Sequence, residues 1–272
     1  MTKFVIKKSV DKGYSGTVSD FLSEQSGLSK GKIKDAMKKG AVWFKKNRGK
    51  MRRLRKAATQ LKTGDQLEMY YDKQLLSKNP PDAVCLYENQ HYSAWQKPSG
   101  LMSQGTKYGD HCSLLRQAEL FFRPKQQVFL VHRLDREASG IMIVAHSQQS
   151  AAELSELFRK KEIEKEYRVE VIGNLHQQSG SGKINLPLDG KPAVTDFKIL
   201  SYDQERNVSI ARVFTKTGRY HQIRRHFHMI GQPVLGDPRY GRGNKNSDGI
   251  KLSAVALRFL CPIRKKRVEF HL

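Results

Sequence analysis

Short strand-like runs dominate this chain and do not alternate regularly with helices, which constrains the fold more than any other feature. Residues 84–87, 92–96, 141–145, 167–172, 196–200, 209–214 and 267–272 read as strands, and 113–122, 150–160 and 219–229 as helices. Without βαβ alternation, the expected class is α+β with a mixed or antiparallel sheet. A length of 272 residues leaves room for that domain and a smaller one.

The smaller one is expected over residues 1–72. Val18, Phe21 and Leu22 have helical spacing. Ser29 is placed to cap a second helix whose Ile33 and Met37 sit four apart before Gly40 ends it. Residues 41–44 and 66–70 have strand character, with a basic stretch between them and Thr63-Gly64-Asp65 as a turn. Residues 73–83, with Pro80-Pro81, read as a linker, leaving 84–272 for the larger domain. Residues 179–182 and 241–249 read as mobile loops.

Charge narrows the function. Fifty Lys and Arg against 26 Asp and Glu give a net charge of +24, and residues 1–72 carry 18 basic against 7 acidic residues. Solubility needs far less, so the field points to a phosphate-rich partner. Lys30, Lys32, Lys34, Lys38 and Lys39 on the short helix, with Lys45, Lys46, Arg52 and Arg53 beyond it, form the candidate RNA-binding surface. Cys85, Cys112 and Cys261 are too scattered for a metal knuckle or a disulfide framework, which fits a reducing cytoplasm. No run of 18 apolar residues suggests a membrane span.

The chemistry-bearing segment is His132-Arg133-Leu134-Asp135, followed by Ser139-Gly140 and the apolar run 141–145. Downstream come Gly218-Arg219-Tyr220-His221-Gln222-Ile223-Arg224-Arg225-His226 and Gly231-Gln232-Pro233-Val234-Leu235-Gly236-Asp237-Pro238-Arg239-Tyr240-Gly241. Lys97-Pro98-Ser99-Gly100-Leu101 and Lys165-Glu166-Tyr167 complete the set. In this order the blocks resemble the motifs of RluA-type pseudouridine synthases, from about residue 88 onward. The helix, lysine-rich helix, strand and Leu61-Lys62-Thr63-Gly64-Asp65 of the first 72 residues resemble, more loosely, the S4 RNA-binding domain. The resemblance implies a sheet-centred catalytic domain with a central cleft, acting on rRNA or tRNA as a monomer without metal or cofactor. An S4-like module favours rRNA.

Converting uridine to pseudouridine breaks the N1–ribose bond, turns the base and rejoins it through C5, which requires an ionised group, a closed pocket and an extruded nucleotide. Asp135 is the candidate acid, able to serve as nucleophile or base. The resemblance assigns Arg224 as its partner, Tyr167 as the ring against the base, and Ile223 as an apolar wall. Arg133 lies two residues before Asp135, so on an extended strand both would share a face. The resemblance gives Arg133 the gap left by the flipped nucleotide. His132, Lys97, Arg219, His221, Arg225 and His226 are expected to contact phosphate or line the cleft. Ala138 and Ser253 stand where the family usually has threonine and histidine, which bears on hydrogen bonding and RNA preference. Two rivals are a zinc hydrolase using His221, His226 and His228, whose spacing does not suit zinc, and a binding protein without catalysis. The second is separated from an enzyme by the acid, the tyrosine and the arginine.

Overall fold

The computed structural model describes residues 3–122, 127–177, 182–241, 244, 246 and 248–272. The chain forms two units: Met1–Pro80 with Gln104–Gln117, and Pro81–Ser103 with Ala118–Leu272. Segment 104–117, expected with the larger domain, thus belongs to the first unit.

In the first unit an antiparallel sheet runs in the order β1 (Lys3–Ser9), β4 (Gln66–Asp72), β2 (Val42–Lys45), β3 (Arg52–Arg53). Helix α1 (Val18–Ser26) starts at a capping box in which the Thr17 side chain accepts from the Asp20 amide while Asp20 accepts from the Thr17 amide. Helix α2 (Lys30–Lys38) is capped by Ser29, as its sequence predicts. Both helices bury one face, Val18, Phe21, Leu22, Ile33, Ala36 and Met37, against Val42, Phe44, Leu67 and Met69 of the sheet. Part of the expected linker is a helical turn instead: Asp72 caps α3 (Lys73–Leu76), and Leu76 is buried.

The second unit is one mixed sheet in the order β10 (Lys183–Asn185), β11 (Val194–Asp203), β12 (Val208–Thr215), β9 (Glu164–Ile172), β13 (Leu252–Leu260), β8 (Ser139–Ala145), β6 (Tyr92–Lys97), β5 (Val84–Glu88). Strand β14 (Arg267–His271) also pairs with β13, and β7 (Phe129–Leu130) with β8. The β8–β13 pairing is parallel and the other pairings are antiparallel. Helix α5 (Gln148–Lys160), capped by Ser147, packs Leu154 and Leu157 over Ile141, Ile143 and Phe259. Helix α6 (Gln222–Met229) packs Ile223 and Phe227 over Val169, Val171, Ala211 and Val213. Helix α4 (Leu114–Phe121) spans the division between the units. Of the expected mobile loops, 179–181, 242, 243, 245 and 247 lie outside the described residues.

The α+β expectation therefore holds, with a mixed sheet at the centre of the second unit. Helix α6 begins three residues later than its sequence suggests. His221 adopts φ 51°, a left-handed conformation that cannot continue a helix backward through Arg219. Val131 belongs to the apolar cluster under α5 and Ala138 to the one under α6. The intervening loop, 132–137, crosses from one to the other and carries Asp135.

Candidate active site

Hydrogen bonds to four backbone carbonyls fix the loop around Asp135. The Lys97 ammonium, fully buried, donates to the carbonyls of Arg136 (3.3 Å) and Ala138 (2.5 Å), and to those of Pro98 and Leu101. Ser99 donates to the Glu137 carbonyl, and the Gly100 amide to that of Arg136 at 2.8 Å. Ser103 donates to the Leu134 carbonyl at 2.6 Å and accepts from the Leu134 amide at 3.0 Å. The segment from Lys97 to Ser103 is thus the seat of the acid loop. Lys97 is not placed to meet phosphate, because four carbonyls already enclose it. Burial lowers its pKa to about 8, against the pull of Asp135 and Glu137.

Arg224 is the buried cation of the site. Its Nε and Nη2 donate to the two oxygens of Asp237 at 2.7 and 2.9 Å, a bidentate fork between fully desolvated partners. That grip aims Nη1 at Asp135 Oδ2, 3.3 Å away, and at Glu137 Oε2, 3.5 Å away. Burial works against the guanidinium charge, but Asp237 and Asp135 more than offset it, so the Arg224 pKa rises. Burial likewise opposes the Asp237 carboxylate, yet Arg224 and the amides of Arg239 and Tyr240 hold its pKa below the usual value. In the sequence Asp237 stands within a motif block and carries no assigned role; its signal is an acid in a Gly-Asp-Pro turn, ready to pair with a cation elsewhere.

Tyr167 reaches the same place through sheet register. On β9 it pairs with Ala254 of β13, and Ala254 pairs with Gly140 of β8, directly after the acid loop. A Cβ on Gly140 would collide with the Ala254 backbone, and φ is +121°, so the Ser-Gly ending of the motif is the condition for that close parallel pairing. Tyr167 packs with Ile223 and Ala138 in one apolar cluster. Burial and the charge of Asp135 push the Tyr167 hydroxyl up to about 12, which keeps it protonated at neutral pH. Ala138 is buried and engages through its carbonyl, and Ser253 lies beside Ser139 in the parallel pair.

The structure therefore brings together Asp135, Arg224, Tyr167, Ile223 and His221, and adds Glu137 and Asp237. The His221 Nε2 atom lies 3.7 Å from Asp135 Oδ2, and its Nδ1 lies 3.1 Å from the Tyr240 hydroxyl. Burial, reinforced by Arg224 and Arg239, holds this ring below its ordinary pKa in spite of Asp135. Arg133 does not share a strand face with Asp135; the segment is irregular, and Arg133 is exposed with no ion pair or hydrogen bond among the described residues.

The remaining expected contacts have partners within the protein. His132 accepts from the Ile143 amide at 2.9 Å and stacks on Phe158, and burial drives its pKa down to about 3, so it stays neutral and packed. His226, fully buried, is held between Thr195 and the Leu186 carbonyl. Arg225 pairs bidentately with Asp189, and Arg219 donates to the Pro192 carbonyl from an exposed position. In the first unit Lys30, Lys32, Lys34, Lys38, Lys46 and Arg52 are exposed and Lys45 is half-buried. Lys39 is tied to Asp35 and the Leu76 carbonyl, and Arg53 to the Gly40 carbonyl, to Asp110 and to the Trp43 ring.

Comparison with known proteins agrees with this geometry. Residues 91–229 match the family model for RNA pseudouridylate synthase. An uncharacterised RNA pseudouridine synthase of Mycoplasma genitalium is 33% identical over 204 residues, covering 68% of this chain and 65% of that protein. The dual-specificity RNA pseudouridine synthase RluA of Escherichia coli is 34% identical over 183 residues, covering 60% and 80%. The ribosomal large subunit pseudouridine synthase C of Vibrio cholerae is 31% identical over 207 residues, covering 68% and 64%. The human RNA pseudouridylate synthase domain containing 1 shares the fold, with a TM-score of 0.60 at 22% identity over 72% of this chain and 86% of that one. The chain belongs to the RNA pseudouridylate synthase family, enzymes that isomerise uridine to pseudouridine in RNA.

Proposed function

We propose that the protein converts particular uridines of structured RNA, rRNA ahead of tRNA, by Asp135-dependent cleavage of the N1–C1′ bond and re-attachment through C5. The observation that carries this reading is the charge arrangement: a desolvated Arg224, gripped from behind by Asp237, presents its remaining nitrogen to an acid whose side chain keeps 27% of its surface in solvent. Such an acid is held in place yet open to a ligand. Over the reaction C1′ exchanges N1 for C5, the C5 proton leaves and N1 gains one, so no redox partner, metal or cofactor enters the balance. Tyr167 serves as the stacking face for the base, with its hydroxyl held in the neutral form at neutral pH. Ile223 closes the apolar side against water.

RNA capture is assigned to the exposed basic residues of the first unit, Lys30, Lys32, Lys34, Lys38, Lys46 and Arg52, acting as an S4-like module. The preference for rRNA rests on that module, and the name of the Vibrio relative points the same way. The protein is expected to act as a cytoplasmic monomer.

The test is conversion of unmodified rRNA and tRNA transcripts, read by nucleoside chromatography and carbodiimide-blocked primer extension. Asp135→Asn should lower turnover by at least about 10²–10⁴-fold while leaving RNA affinity nearly intact, because the change alters the reacting group and not the phosphate-binding surface. Wild-type turnover in that variant would refute the assignment.

A further inference from the structure

We propose that Tyr220 and Arg239 form a stacking platform for an unpaired RNA base beside the acid pocket, a nucleotide-binding site separate from the place of the reacting uridine. Tyr220 precedes α6 and keeps 55% of its surface in solvent, although one face lies on the His221 ring at a centroid distance of 3.8 Å and an angle of 21°. His221 in turn stands 3.7 Å from Asp135 Oδ2. The exposed ring is thus two steps from the reacting carboxylate. Arg239, also exposed, donates from Nη1 to the Tyr220 hydroxyl at 3.1 Å, and its guanidinium carbon lies 5.8 Å from the Tyr220 centroid and 5.7 Å from that of Tyr240.

A lone tyrosine on a surface needs no explanation. This one is held by three devices that solubility does not require: a stacked imidazole, a guanidinium clamp, and the left-handed backbone of His221 (φ 51°) that turns the imidazole under it. The outcome is a flat ring, fixed in orientation and flanked by a cation, with surface left over for a planar ligand. A nucleobase suits it by stacking, and the backbone phosphate of the same nucleotide suits Arg239. Every base has a π-face, so the platform tolerates any sequence but demands that its base be unpaired. When uridine leaves the stack, its neighbour loses a stacking partner, and the Tyr220 ring can replace it.

The inference rests on the reading of the chain as an enzyme of RNA uridines, but its test reads binding alone. In an Asp135→Asn background, which removes turnover, a fluorescein-labelled RNA stem-loop with unpaired uridines in its loop is titrated and followed by anisotropy, alongside a fully paired duplex of the same length. Tyr220→Ala and Tyr220→Leu are each expected to weaken stem-loop binding about ten-fold and to leave duplex binding unchanged. Tyr220→Trp should retain affinity, and its added fluorescence, above the Trp43 and Trp95 background, should be quenched by the stem-loop and not by the duplex. If Tyr220→Leu binds the stem-loop like its parent while Tyr220→Ala does not, the ring merely packs His221 and the proposal fails. Equal losses on both RNAs overturn it too. A wild-type protein that makes no pseudouridine, combined with the expected binding pattern, would sink the proposed reaction and leave the platform standing.

Discussion

Asp237 shows how much one silent residue can decide. It touches no solvent, yet it fixes both the charge and the direction of the guanidinium that faces Asp135. Asp237→Asn would leave Arg224 buried without its bidentate carboxylate, an expected loss of about 3–5 kcal/mol in urea unfolding, with turnover falling further than stability explains. His132 supplies a pH signature. Its folded pKa of about 3 lies below the unfolded value of 6.5, so the unfolded chain binds the extra proton between them. Its contribution is therefore complete above pH 6.5 and declines as pH falls towards 3, by about 5 kcal/mol at most. Unfolding free energies measured at several pH values should flatten over that window in His132→Asn relative to wild type. Asp135, Arg224 and Tyr167 were legible as motif letters. The roles of Lys97, His132 and His226 were not, because a polar letter in a motif does not say whether the group faces a ligand or a carbonyl.

Elements tell a similar story with a different cause. Most strands could be read from apolar runs, and the helices from their spacing and caps, but β13 could not. Leu-Ser-Ala-Val-Ala-Leu-Arg-Phe-Leu alternates buried and half-buried residues, but a register shift between Ala254 and Ala256 and the apolar Val255 at a half-buried position hide that alternation in the sequence. Strand β1, an edge strand with one partner, gives almost no burial pattern to detect. The cost falls at the site, since Tyr167 and the acid loop meet through β13. Gly140→Ala tests that route. Its φ alone costs about 1–3 kcal/mol, and the collision with Ala254 adds to it. The variant should melt at lower temperature and lose activity disproportionately, whereas Ala at the open Gly100, where no atom lies within 4 Å of the added Cβ, should show only the strain of its positive φ.

For the molecule as a whole, charge was readable and partition was not. The excess of basic residues in the first 72 positions needs no coordinates, but the incorporation of 104–117 into the first unit has no local signal. It depends on Asp110 meeting Arg53 and Arg55, and on the Trp43 indole donating to the Lys107 carbonyl, partners distant in sequence. Deleting residues 1–72 would therefore strip Asp110 of its cations. A cleaner test replaces Lys32, Lys34, Lys38, Lys46 and Arg52 with Gln in the full chain. RNA affinity should drop, and the slope of log affinity against log salt should shrink by about 0.7–0.9 for each phosphate that is no longer neutralised. An unchanged slope would remove this unit from RNA capture. The parallel seam between β8 and β13 has one more consequence. Asp135 and Arg224 are 89 residues apart, and β13 (Leu252–Leu260) follows both, so the seam cannot close until Leu260 has left the ribosome. A nascent polypeptide therefore carries the basic residues of its first 72 positions long before it carries an assembled pocket, so charge precedes site during synthesis.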